Sequence, residues 1–105
     1  MRAAVFAGES AGKMGFFLPY PDYIDSRALL ANVAETQAVP ADARFVVFSA
    51  TDSIYVNYVG TATVPGDVVN GSASELNPSG RVIEGLASFS VIAPANCVVS
   101  MAFYK

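Results

Sequence analysis

From Gly85 to Tyr104 the chain carries no Asp, Glu, Lys or Arg. In a small soluble domain, residues of such a run are largely out of water on both faces. Its length is about right for a membrane-spanning helix, but Pro94 and Asn96 interrupt it, and Ser88, Ser90 and Ser100 dilute it. The run reads instead as strand, turn at Pro94-Ala95-Asn96, and strand. In the final strand, Cys97–Tyr104, a period of two places Cys97, Val99, Met101 and Phe103 on one face. Part of this run is expected in the protein's own core and part against another chain.

Similar segments precede it. Ala34–Val39 is β-like and ends in a turn at Pro40-Ala41-Asp42-Ala43. Arg44–Ala50 holds Phe45-Val46-Val47-Phe48, all strong β-formers. After a turn at Thr51-Asp52-Ser53, the segment Ile54–Val59 puts Ile54, Val56 and Tyr58 on one face and Tyr55, Asn57 and Val59 on the other. Thr61–Val64 extends this sheet or starts a new strand. Val64-Pro65-Gly66-Asp67 fits a type II turn with positive φ at Gly66. Asn70–Ser74 and Asn77–Gly80 have loop composition, and Val82–Ile92 reads as one strand region bent at Gly85. Asp25-Ser26 ahead of Arg27-Ala28-Leu29-Leu30 predicts a short capped helix of one or two turns. Short strands at this spacing give an all-β fold, a compact antiparallel β-sandwich or jelly-roll-like barrel with an irregular N-terminal arm. The arm covers residues 1–25 and a single β-domain covers 26–105.

The arm contains Gly8, Gly12 and Gly15, then Phe16-Phe17-Leu18-Pro19-Tyr20-Pro21-Asp22-Tyr23. The two prolines forbid helix and favour extended chain. Its aromatic residues need a surface, either one end of the protein's own core or a partner. Phe16, Phe17, Tyr20 and Tyr23 are the candidate interface residues. Association is also expected from composition, because 53% of residues are hydrophobic and only 14% charged, more apolar side chain than a small monomer easily hides.

No constellation for catalysis emerges. The chain has no histidine and one cysteine, which removes Ser-His-Asp and Cys-His pairs, the usual zinc sites and any internal disulfide. Cys97 lies in an apolar run and reads as a buried, inert thiol. Gly8-Glu9-Ser10-Ala11-Gly12-Lys13-Met14 imitates a phosphate loop, but it is one residue short, has Met14 where a hydroxyl must ligate Mg²⁺, and leads into no helix. Asp52-Ser53-Ile54 lacks the glycine of a dimeric aspartic-protease signature. Asn70-Gly71-Ser72 matches a glycosylation sequon but reads as a turn. The net charge is −3 and the six cationic residues are scattered, which argues against nucleic acid and anionic membranes as partners. The chain is expected to be no enzyme and to bind no cofactor and no metal.

The segments Val39-Pro40-Ala41-Asp42-Ala43-Arg44-Phe45-Val46-Val47-Phe48-Ser49-Ala50, Ile54–Tyr58 and Ile92–Tyr104 together resemble small structural proteins encoded in tailed-bacteriophage head gene clusters, including capsid decoration (cement) proteins. The resemblance covers roughly residues 34–105 and rests on texture and strand order. It implies a virion protein, assembled in the host cytoplasm, that binds the major capsid protein or other virion proteins on the outer capsid surface. It also implies a homo-oligomer, often a trimer, that strengthens the shell against genome pressure. No family site residue carries over. The resemblance leaves open whether the arm grips the capsid; burial of its Phe and Tyr side chains favours docking on a neighbouring subunit or on the capsid. A second expectation is a receptor- or carbohydrate-binding β-module of a tail or fibre, for which Tyr20, Tyr23, Tyr55 and Tyr58 would supply the stacking rings.

Overall fold

The structure, a computed structural model, describes residues 19–105, and these form eight strands. They are β1 (Tyr23–Leu29), β2 (Glu35–Ala38), β3 (Phe45–Ala50), β4 (Tyr55–Asn57), β5 (Glu75–Leu76), β6 (Gly80–Val82), β7 (Ser88–Ile92) and β8 (Cys97–Tyr104). One antiparallel sheet has the order β1-β8-β3-β6 and the other β2-β7-β4-β5. The pairs β1:β8, β2:β7, β3:β6 and β4:β5 are nested, as in one long hairpin rolled up on itself. That nesting, with every step except β4 to β5 crossing between two packed sheets, is jelly-roll connectivity. No ladder joins the two sheets among the described residues, so the fold is a sandwich and not a closed barrel.

The core lies between the sheets. From β8 come Val99, Met101 and Phe103, all fully buried, and from β3 come Val46 and Phe48. Opposite them stand Val56, Phe89 and Val91. Phe89 is the hinge of the aromatic packing, meeting Phe48 edge-on at 5.6 Å and the rings of Tyr58 and Phe103 at 6.1 and 6.4 Å. The alternation expected for Cys97–Tyr104, for the β3 run and for Ile54, Val56 and Tyr58 is the alternation observed.

Several expectations give way. The predicted helix at Asp25–Leu30 is part of β1, which begins at Tyr23, inside the segment read as arm. Its alternation is masked because two inward positions, Asp25 and Arg27, are polar, and seven register pairs with β8 outweigh a weak local cap. The single strand region expected over Val82–Ile92 is two strands in different sheets. Gly85, at φ +86°, turns the chain sharply between β6 and β7. Thr61–Val64 is irregular chain, and Gly66 has no positive φ, so the expected type II turn is not formed. Between β4 and β5 the chain runs as a long loop across the outer face of the second sheet. It is tied down by side-chain acceptors: Ser90 Oγ accepts from Ala62 N at 2.8 Å, and Ser74 Oγ from Thr63 N at 3.1 Å. Asn57 Oδ1 accepts from Val59 N and Gly60 N.

Candidate interaction surface

The first sheet turns a face outward that no other described element covers. Register fixes its rows. Ile24, Ala102, Val47 and Gly80 lie side by side across the four strands. The next row is Ser26, Ser100 and Ser49, followed by Ala28 and Val98. On the other side lie Tyr104, Phe45 and Val82. None of these residues is charged. Ile24 is 59% exposed, Val98 42% and Val82 78%. Tyr104 is buried and stacks on Phe45, ring centroids 5.0 Å apart, and Phe45, Val47, Ser100 and Ala102 around it are half-buried. Antiparallel sheets with one wet face normally make that face polar. The outer face of the second sheet is treated differently: the β4–β5 loop crosses it and buries Ile92 and Ser90 under Ala62, while Thr36, Leu76 and Ser88 stay exposed.

Of the four predicted interface residues, Phe16 and Phe17 lie outside the described residues. Tyr20 is 82% exposed and Tyr23 48% exposed, both at the end of the first sheet where β1 begins. Tyr23 serves two surroundings, since its ring also meets the buried Phe103 edge-on at 6.2 Å. Tyr55 and Tyr58 belong to β4 and its continuation in the other sheet. The four tyrosines proposed as a stacking set are therefore divided between two places and form no common platform.

Two polar clusters bridge the open sides of the sandwich. On the β1/β2 side, the buried Gln37 donates from Nε2 to Asp25 Oδ2 at 2.7 Å and to the Ala38 carbonyl at 3.0 Å, and its Oε1 accepts from Arg27 Nε at 3.0 Å. Arg27 also pairs with Glu35 at 3.5 Å. On the β5/β6 side, Arg81 pairs with Glu75, which accepts the Tyr58 hydroxyl at 2.8 Å. Arg81 holds the Glu75 carboxyl below its ordinary range, against the opposing effect of burial. Burial, then the bond to Glu75, pushes the Tyr58 phenol well above its ordinary value. Through Tyr58, Glu75 and Arg81 this trio clamps the two sheets together. Beside it lies a cavity of about 480 Å³ lined by residues 56–60, 71–73 and Glu75. Sequence reasoning missed both clusters. The available signal was the phase of Gln37, which shares a strand face with Glu35.

Burial, with the Asp52 charge second, raises the Cys97 thiol above its usual value, so the nucleophilic thiolate is disfavoured. Asp52 Oδ1 accepts from the following amide, Ser53 N, at 2.8 Å, as in a turn. Asn70 Oδ1 likewise accepts from Ser72, with Gly71 at φ +91°. Among the described residues no three His, Cys, Asp or Glu side chains come together as a metal set, and no helix is long and apolar enough to cross a membrane. Comparison with protein-family models, with curated proteins and with solved structures finds no match.

Proposed function

We propose that this chain is a structural protein of a tailed-phage particle, a head decoration protein that binds the assembled capsid and stabilises it. The observation that carries the reading is the uncharged outer face of the β1-β8-β3-β6 sheet, a broad surface suited to contact, in a molecule whose ionisable clusters are spent on clamping its own sheets. The mechanism is stabilisation by binding. Contacts available only on the completed lattice lower the free energy of that state, and many weakly held copies act together through effective concentration. The jelly-roll connectivity lends support by analogy of fold alone, since capsid and lectin domains both use it. The lectin-like alternative, a receptor- or glycan-binding module, needs an aromatic platform that the divided tyrosines do not provide.

The test is to mix the purified chain with empty capsids of the phage whose genome encodes it. Saturable binding, together with a higher temperature of genome release from decorated heads, is expected. Absence of the chain from purified heads, or its presence only on tails or fibres, would sink the proposal.

A further inference from the structure

We infer that Asn70 is a self-modifying site: in the folded chain its side-chain amide is lost to attack by the backbone nitrogen of Gly71, with Ser72 assisting. The inference does not rest on the decoration role. Three observations carry it.

The first is the neighbour. The residues that follow the asparagines of this sequence are Val33, Tyr58, Gly71, Pro78 and Cys97. Cyclisation needs the following backbone nitrogen to reach the asparagine Cγ and to give up a proton. A side chain on the following residue crowds that approach, and proline has no N–H to lose. Asn70 alone is followed by glycine.

The second is access. Asn70, Gly71 and Ser72 are all exposed, in the loop between β4 and β5. Gly71 stands at φ +91° with open space where a Cβ would lie. Its N–H donates to no acceptor among the described residues, so the attacking nitrogen is not tied up elsewhere.

The third is the pair of donors on the side-chain carbonyl. Asn70 Oδ1 accepts from Ser72 N at 3.1 Å and from Ser72 Oγ at 2.6 Å. These bonds fold the Asn70 side chain back over the Gly71 peptide, which replaces a chance encounter of the reacting groups by a held one. When the Gly71 nitrogen adds to Cγ, negative charge collects on Oδ1, and donors already aimed there stabilise it.

The step needs only water. The bond from Gly71 N to Asn70 Cγ forms, the amide proton passes to water, and the bond from Cγ to Nδ2 breaks with release of ammonia, which leaves a cyclic imide. Water opens that ring at either carbonyl, giving aspartate or its isomer in which the main chain runs through the former side-chain carbonyl. Nothing is oxidised or reduced. Either product adds one negative charge to the net charge of −3.

The experiment incubates the full chain in mildly alkaline buffer and follows it by peptide mass spectrometry. The readout is the fraction in which an amino group has been exchanged for a hydroxyl, with fragmentation locating the change. Conversion is expected at Asn70 ahead of Asn32, Asn57, Asn77 and Asn96. Ser72→Ala, at an exposed position, should slow it roughly fivefold, the equivalent of about 1 kcal/mol for a neutral hydrogen bond, with an unchanged circular dichroism spectrum. Ser72→Thr keeps the hydroxyl and should convert at the wild-type rate. In guanidinium chloride, where the turn is lost, wild type and Ser72→Ala should convert equally fast. An unchanged Asn70, faster conversion at another asparagine, or a folded Ser72→Ala as fast as wild type would each overturn the inference. So would a Ser72→Thr as slow as Ser72→Ala, or a difference between wild type and Ser72→Ala that persists in denaturant.

Discussion

Gln37→Met should destabilise the fold by about 2 kcal/mol, and the number follows from the inter-sheet cluster. Gln37 is 2% exposed and makes three hydrogen bonds, two of them to the ionised side chains of Asp25 and Arg27. Methionine preserves the unbranched shape and most of the volume, so cavity effects are small. A net hydrogen bond is worth about 1 kcal/mol, and one to a charged group about 1.5–3 kcal/mol. Asp25 and Arg27 are only half-buried and can turn to water, which brings each of their bonds down to the ~1 kcal/mol of an uncharged one. The three bonds then amount to about 3 kcal/mol, and burying a thioether in place of an amide returns about 1 kcal/mol. At about 4–8 °C per kcal/mol for a domain of this size, Tm should fall by about 8–16 °C. Urea unfolding followed by far-ultraviolet circular dichroism measures it, with a lower midpoint at an unchanged slope. A variant within about 0.5 kcal/mol of the wild type, or more stable, would refute the reasoning. It would mean that the cluster specifies how the sheets align without adding stability, as some buried polar networks do.

Phe103→Ala removes a fully buried ring that meets both Phe89 and Tyr23; a loss of about 3–5 kcal/mol is expected in the same urea assay. The Glu75 carboxyl titrates lower in the folded protein than its unfolded value of about 4.3, so its contribution is present above that pH and is lost as pH falls through the folded value. The stability gap between wild type and Glu75→Gln should therefore be widest at neutral pH and narrow below about pH 4, read from unfolding midpoints across the acid range. The Tyr58 phenol titrates higher in the folded protein than its unfolded value of about 10, so its contribution is present below pH 10 and declines above it. Tyr58→Phe should lack that part of the alkaline loss, which paired thermal melts at pH 9 and pH 11 would reveal.

The strands that the sequence announced are those with a clean apolar phase on the buried side. Val46 and Phe48 in β3, and Cys97 to Phe103 in β8, are legible because one face is buried and nothing polar interrupts it. The strand β1 was hidden because Asp25 and Arg27 occupy inward positions and imitate a helix start. Strands β5 and β6 were hidden for a related reason: Glu75 and Arg81 look like loop residues until they are seen facing each other across two sheets. The loop after β4 kept its turn composition but not its turn geometry, because distant side chains such as Ser90 hold it. Of the candidate surface, the sequence pointed to Tyr20 and Tyr23 and to the absence of charge near the C-terminus. It could not show that Ile24 lies beside Ala102, or Ser26 beside Ser100, because register between strands so far apart in the chain is set by tertiary pairing.

The same clusters that were illegible guard the open sides of the sandwich. A sandwich built from two open sheets has exposed edges, and an exposed edge invites another strand to add on. Here the edge strand β1 carries Asp25 and Arg27 pointing inward to Gln37, and β6 carries Arg81 drawn to Glu75 on β5. A strand adding at either side would approach charged groups committed to internal partners, and inward charges of this kind oppose edge-to-edge growth. The outer face of the second sheet is crossed by the loop that buries Ile92 and Ser90, while Thr36 and Leu76 on it stay exposed. Charge turned inward thus guards both open sides of the sandwich against an added strand.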